Sequence, residues 1–364
     1  MSINNLKETV IMKTKYSYFI LMGALVVNAF GGTIKSNGTA GATQLSVPVG
    51  AHGIALNGSN LATVSGVEAL YYNPAGASNL GSSFETMFSN MSYIADIKVN
   101  YAGFVSNIGN SGTFGLSIKS FNFGGILRTT SDNTEGTGET FSPNFMTISA
   151  TWSKALADRM RFGVNMKYVQ EEILRTSASG LGFDMGIQYS FSDLPMKIGV
   201  VLSNLGTRMQ YGGSDLEQKL PPDESEEGSI NEPFQIVSEP FEMPVEMNIG
   251  VSYEAIPGLL IQGTFNNKSS SNNELRFGSE YSMSFGNASV WIGSGLSIAN
   301  IDDEKPDDVS QADWSESTDS NFGTTFGAGI VYPLGELTIG LEVAQRTVID
   351  YFDNNLVYSL KISF

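Results

Sequence analysis

The sequence predicts an all-β fold, a transmembrane antiparallel β-barrel of about fourteen strands, and three observations carry that prediction. After about residue 83 the chain falls into segments in which apolar and polar positions alternate, the period of a strand with two unlike faces. The connections after even-numbered segments are all short, and the long ones all follow odd-numbered segments. The aromatic residues of the apolar face gather at the short-turn ends, as an interfacial girdle does.

The alternation is explicit. Phe162, Val164, Met166 and Tyr168 share one face and Gly163, Asn165 and Lys167 the other. Val245, Met247, Ile249, Val251 and Tyr253 alternate with Glu246, Asn248, Gly250 and Ser252. Leu275, Phe277, Tyr281, Met283 and Phe285 are set against Arg276, Gly278, Glu280 and Ser282. Such segments fall near 84–95, 97–108, 112–123, 143–155, 160–172, 181–191, 196–206, 243–255, 258–268, 273–285, 288–299, 322–333, 336–346 and 355–364. An even number suits a closed antiparallel barrel whose first and last strands meet.

The connections add direction. "GNSG" (109–112), "LADR" (156–159), "SDLP" (192–195), "AIPG" (255–258), "FGNA" (285–288) and "PLGE" (333–336) are tight turns, whereas 124–142, 207–242 and 300–321 are long. A soluble sandwich has no reason to sort its loops this way, but an outer-membrane barrel has short periplasmic turns and long external loops. Trp152, Phe162, Tyr189, Phe191, Tyr253, Phe285, Tyr332 and Phe364 then all fall at the periplasmic end, which assigns the apolar face to lipid and the Gly, Ser, Thr and Asn face to the lumen. Lys167, Glu246, Arg276 and Glu280 are accordingly expected in the lumen.

Composition agrees. Charged residues are 16%, below the roughly 25% of soluble domains, with 40 Gly, 22 Phe and 14 Tyr. A formal charge of −17 with no basic patch argues against a nucleic-acid partner. There is no cysteine, hence no disulfide, thiol catalysis or thiolate metal site. Residues 1–31 have the order of a signal peptide, with Lys13 and Lys15, an apolar run from Tyr18 to Val27, then Ala29 and Gly31; Met12 is an alternative start. Residues 32–82 lack sustained alternation, and 83–364 form the barrel.

The chain ends on "LVYSLKISF", with Leu356, Tyr358, Leu360, Ile362 and Phe364 on one face. This terminal strand resembles the recognition signal of bacterial outer-membrane proteins, with Tyr358, Leu360, Ile362 and Phe364 as the residues read by the barrel-insertion machinery. The expected location is the outer membrane of a diderm bacterium, in contact with its lipid and with both termini periplasmic.

The stretch "GAHGIALNGSNLATVSGVEALYYNPAGASNL" resembles the N-terminal region of the PorV/PorQ family, itself related to FadL-type barrels. Gly50, Ala51, Ala55, Gly58, Ala69 and Tyr71 carry the likeness, with the motif Asn73, Pro74, Ala75, Gly76. His52 stands where an Arg is common, Asn57 where a Gly is common and Ala77 where a Leu often follows. The resemblance implies that 32–82 is a plug inside the barrel; small residues suit such close backbone packing, and Pro74 ends any preceding helix. It also implies an accessory of type IX-like protein secretion, partnered by secretion components and exported proteins. The alternative is a FadL-like uptake channel for hydrophobic small molecules.

Two further expectations concern sites. In "GTFGLSIKSFNFGG" the bulky residues run Phe114, Leu116, Ile118, then Phe121 and Phe123, which reads either as a bulge at Lys119-Ser120 or as aromatics on both faces of an unbroken strand. In FadL-type barrels a kink in the third strand opens the wall, so Lys119, Ser120 and Phe121 are candidates to border a lateral opening. His52 is the only histidine, and no serine can be singled out to complete a triad with it, so no enzyme, metal or cofactor is expected. The acidic loops at 215–240 and 302–319 lack the spacing of a calcium loop and read as solvated external segments.

Overall fold

The computed structural model describes Gly38 and residues 40–220, 232–300, 322–348 and 352–364. The expected signal peptide, the acidic loop at 302–319 and residues 221–231 of the other acidic loop lie outside them.

Fourteen long strands make the wall: β1 (Phe84–Ser92), β2 (Lys98–Asn107), β3 (Thr113–Asn122), β4 (Asn144–Ala157), β5 (Met160–Ile173), β6 (Thr176–Ser190), β7 (Met196–Gly206), β8 (Glu246–Ile256), β9 (Leu259–Lys268), β10 (Asn273–Phe285), β11 (Ala288–Asn300), β12 (Phe322–Leu334), β13 (Leu337–Val348) and β14 (Asn355–Ser363). Each pairs antiparallel with its sequence neighbours, and β1 pairs with β14, so the sheet closes. Closure leaves no edge of unpaired backbone groups, the condition for a sheet to stand in hydrocarbon. The short turns each need a tight reversal; Gly286 (φ 63) and Gly335 (φ 66) supply the left-handed residue of two such hairpins.

The two faces are inverted relative to a soluble protein. Thr151, Ser153, Asn165, Asp184 and Gln188 are buried inside, while Phe183, Ile187, Ile330 and Leu341 are exposed outside. An outer surface of this kind is stable only against lipid, and the chain is a transmembrane barrel. Strand β6 begins at Thr176, five residues before the alternation signals it, because its outward residues there are Ser177 and Ser179. Above the apolar band the outward residues are polar, the inward Ala178 and Gly180 are small, and the period loses contrast.

Strand β3 corrects an expectation. It pairs without interruption from Thr113 to Asn122 with both β2 and β4. Lys119 and Phe121 point inward and Ser120 outward, so there is no bulge and no opening bordered by Lys119, Ser120 and Phe121. The sequence reading failed because Phe121 is an inward aromatic, packed with Val47 and Val99, and Phe123, which stacks on it, lies beyond the strand end. A mid-wall register shift lies instead between β6 and β7, where Asn204 adopts φ 61. Its amide accepts from the Lys167 ammonium (2.7 Å) and donates to the Pro244 carbonyl (2.9 Å), which fixes the unusual backbone.

Residues 41–80 lie inside the wall as short turns, among them helix α1 (Ala51–Ala55) and helix α2 (Ala69–Tyr72), the latter followed by a 3-10 turn over Pro74–Ser78. Ala51, Ile54, Leu56, Val67, Leu70 and Ala75 are all at most 1% exposed. Wall glycines make room for this segment. A β-carbon at Gly163 would stand 2.3 Å from the Pro74 carbonyl carbon, at Gly199 2.5 Å from the Leu61 oxygen and at Gly295 2.6 Å from the Leu56 carbonyl carbon. The strand glycines therefore mark where inner backbone touches wall backbone.

The segment also reverses the chain's course. The Gly38 amide donates to the Ser270 carbonyl and the Gly41 amide to Glu242, both at the long-loop end, whereas Phe364 lies at the short-turn end against Phe84. The first described residues and the last thus lie at opposite ends of the barrel. An even strand number places the ends of the wall together, but the described inner segment runs through the lumen from the long-loop end to the short-turn end before the wall starts.

Candidate functional site

The lumen is layered. At the long-loop end a cavity of about 650 Å³ opens between the inner segment and the wall. Tyr71, Tyr72, Tyr93 and Phe322 give it aromatic surface, and Leu45 and Ile54 aliphatic surface. The Tyr71 hydroxyl donates to the Leu45 carbonyl and the Tyr72 hydroxyl to Val49, so the rings are held by their polar ends. Burial pushes both phenol pKa values up, so both stay neutral donors.

Four cations and two carboxylates line the same cavity: Lys167, Lys268, Arg276 and Arg346 against Glu246 and Glu274. Lys167 is matched from beneath by Asp184 (2.7 Å). Lys268 (2.6 Å) and Arg276 (2.8 Å) share Glu274. Glu246 accepts from the Ser46 hydroxyl and the Asn266 amide. Arg346 differs. Among the described residues its guanidinium donates to the neutral Asn355 side-chain oxygen (3.0 and 2.7 Å), and it lies 3.7 Å from the Phe322 ring centroid and 5.9 Å from that of Tyr93. It is 6% exposed and no carboxylate pairs with it among the described residues. A buried cation without a counter-charge is costly unless something else supplies one.

Below the cavity a belt of charge ties the inner segment to the wall. His52 of α1 binds Glu68 through Nδ1 (2.9 Å) and Glu280 of β10 through Nε2 (2.8 Å), with Trp291 edge-on at 4.6 Å. Lys361 of β14 reaches Glu68 (3.4 Å) and Glu342 of β13 (2.8 Å). Burial opposes a charged imidazole, yet Glu68 and Glu280 outweigh it and hold the His52 pKa raised to about 10. Burial likewise opposes charge on Glu68, but Lys361 and His52 hold its pKa lowered to about 2. Two elements that meet at His52 are thereby joined by ionised groups in a poorly hydrated space.

The short-turn end is filled. Asn73 is fully buried, donates to the carbonyls of Leu61 (2.9 Å) and Ile187 (3.3 Å), and accepts from the Ala75 amide (3.2 Å). Pro74 opens the 3-10 turn, where its missing N–H costs nothing, and the Ser153 hydroxyl donates to the Ala75 carbonyl. A side chain at Gly76 would meet the Val64 oxygen at 2.1 Å. Asn73, Pro74, Ala75 and Gly76 are therefore one turn clamped against β4, β5 and β6.

Lys167, Glu246 and Arg276 come together at the cavity, and Glu280 lies apart from them in the belt. Lys119 is inward, behind the cavity lining and apart from the belt; its ammonium donates to the carbonyls of Leu45 and Val47 and lies over the Tyr71 ring. Tyr358 faces outward, and the Phe364 carbonyl accepts from Ser83 and Phe84 where the wall closes. Sequence reasoning did not single out Arg346, although the alternation Gly340, Glu342, Ala344, Arg346 places it in the lumen. Nor did it give His52 a partner, since Glu68 and Glu280 are 16 and 228 residues away.

No known protein family and no curated protein matches the chain. Solved structures do. The CymD monoaromatic hydrocarbon channel aligns over 87% of this chain and 98% of its own, with TM-score 0.54 and 12% identity. A Pseudomonas aeruginosa FadL homologue gives the same coverage, TM-score 0.53 and 12% identity. The Pseudomonas putida toluene transporter TodX aligns over 85% and 96%, with TM-score 0.53 and 11% identity. At such identities the likeness is one of fold: this chain has a FadL-type barrel. The PorV/PorQ assignment and its secretion role receive no support from these proteins.

Proposed function

We propose that this chain is an outer-membrane channel for small, largely apolar molecules, and that its cavity favours those bearing one anionic group. The observation that carries the reading is the cavity at the long-loop end, of a size usual for small-molecule sites, with aromatic walls and with Arg346, which no carboxylate among the described residues pairs with. Fold-level analogy supports the apolar part, since the similar proteins are described as channels for monoaromatic hydrocarbons or toluene. The anionic part comes from this chain's own Arg346, which an entering carboxylate would neutralise. In this reading 32–82 is a plug that must yield for passage, the long loops face outward from the cell, and the aromatic C-terminal strand serves insertion. The secretion reading rests on the resemblance of the inner segment, from Gly50 to the Asn73–Gly76 turn, and that turn has a structural role in clamping the segment.

The test compares two ligands of like ring size. Benzoate and toluene are titrated into the detergent-solubilised barrel by saturation-transfer NMR. Both are expected to bind, and Arg346→Gln is expected to weaken benzoate about 10- to 150-fold, the weight of a charge-assisted hydrogen bond of roughly 1.5–3 kcal/mol, while leaving toluene unchanged. Failure of both ligands to bind refutes the channel reading. Equal loss for both, or none for benzoate, refutes the role of Arg346.

A further inference from the structure

A second cavity lies on the outer face of the wall, lined chiefly by outward residues. The outer surface is indented across β11 to β14 and β1 to β3, enclosing about 950 Å³. Leu360, Phe88, Ala102 and Ile118 follow one another across this groove as paired residues of β14, β1, β2 and β3, and Ile330 and Leu341 continue it on β12 and β13. Ala102 is the small residue of the row.

One row nearer the long-loop end the outward residues of β1, β2 and β3 turn polar, while Tyr358 and Val343 continue the row on β14 and β13. Asn90, Asn100 and Ser120 are direct cross-strand partners, and all three line the groove. The Asn90 amide nitrogen donates to the Asn100 side-chain oxygen at 2.8 Å. That bond leaves the Asn100 amide nitrogen, the Asn90 oxygen and the Ser120 hydroxyl without a hydrogen-bond partner among the described residues. Asn90 stands two residues before the end of β1 and Asn100 two after the start of β2, so the row sits at the rim of the apolar band. Polar groups facing a bilayer there are expensive unless the bilayer itself satisfies them.

We infer that this groove is a binding site for one membrane lipid, whose interfacial carbonyl or hydroxyl groups bond to Asn100, Asn90 and Ser120 while an acyl chain lies over Ala102 between Phe88, Ile118 and Leu360. The occupant follows from the location. The groove is lined chiefly by outward, lipid-facing residues, its polar row has both donor and acceptor capacity unspent, and its apolar part continues from that row towards the hydrocarbon centre, the layout of a lipid's own interface and chain.

The full-length barrel is extracted from membranes in mild detergent, exchanged repeatedly, and examined by native mass spectrometry with identification of released lipids. The wild type is expected to retain one lipid per barrel. Ala102→Phe places a ring on the groove floor, and the double variant Asn90→Leu/Asn100→Leu removes the polar row; each is expected to lower the retained fraction about tenfold. Heat-modifiable gel mobility reports that the variant barrels are folded, and both changes point outward, where the wall tolerates apolar bulk. Absence of retained lipid in the wild type, retention of detergent or a lumenal ligand in its place, or equal retention in both folded variants overturns the inference.

Discussion

Gly163→Ala is the sharpest perturbation of the inner segment. The added methyl would lie 2.3 Å from the Pro74 carbonyl carbon and oxygen and 2.5 Å from the Ala75 amide nitrogen, all backbone atoms. A relaxed carbon contact needs about 3.5 Å, so about 1.2 Å must be found by moving either β5 or the turn. β5 is held by β4 and β6 along its whole length, which leaves the turn to move. Straining it in place costs about 1–3 kcal/mol, as overpacking of a dense interior does. Releasing it forfeits the three hydrogen bonds of Asn73, about 0.5–1.5 kcal/mol each, so the strained state is the cheaper response. The expected loss is therefore about 1–3 kcal/mol of inner-segment stability, read as about a 5- to 150-fold rise in amide exchange over residues 61–78. Exchange in the central wall strands should not change. Gly263→Ala is the control, since the nearest atom to its methyl lies at 3.7 Å. Wild-type exchange in Gly163→Ala would refute the claim that the strand glycines exist to admit the inner backbone.

The belt predicts a pH dependence. His52 has its pKa raised to about 10 from 6.5, so its contribution is complete below pH 6.5 and is lost as pH climbs through 10. Glu68, lowered to about 2 from 4.5, contributes fully above pH 4.5 and loses its share as pH falls through 2. Exchange over residues 50–56, corrected for its intrinsic pH dependence, should rise between pH 7 and about pH 10, and His52→Gln should abolish that rise; identical profiles would sink the assignment. Leu341→Arg, on the outer face at 56% exposure, should cost about 2–4 kcal/mol in denaturant unfolding from bilayers if that face meets hydrocarbon. An unchanged midpoint would mean the face is not buried in lipid. Ser120→Leu should leave benzoate binding and channel conductance at wild-type levels, because β3 is closed by pairing on both sides; a blocked channel would restore an opening there.

Much of this protein is legible along the chain. Strand number, the order of short and long connections and the inversion of the two faces all follow from period-two alternation, a property of each strand alone. Lys167, Glu246, Arg276 and Glu280 could be placed in the lumen for the same reason. Reading by period fails where contrast fails: at Thr176–Gly180, where the outward residues of β6 are serines and the inward ones are small, and at Phe121, where an inward aromatic mimics a slip in phase.

What only the tertiary structure decided is which residues meet across the lumen. Closure brings β14 beside β1 and sets Lys361 against Glu68, while His52 finds Glu280 across 228 positions of sequence. Those contacts depend on how the inner segment is threaded, and its direction of travel is set by the glycine-lined wall that receives it. Alternation fixes a face for each side chain but not a neighbour on the far wall. That no carboxylate among the described residues pairs with Arg346 likewise became visible only once the partners of Asp184, Glu246 and Glu274 had been traced.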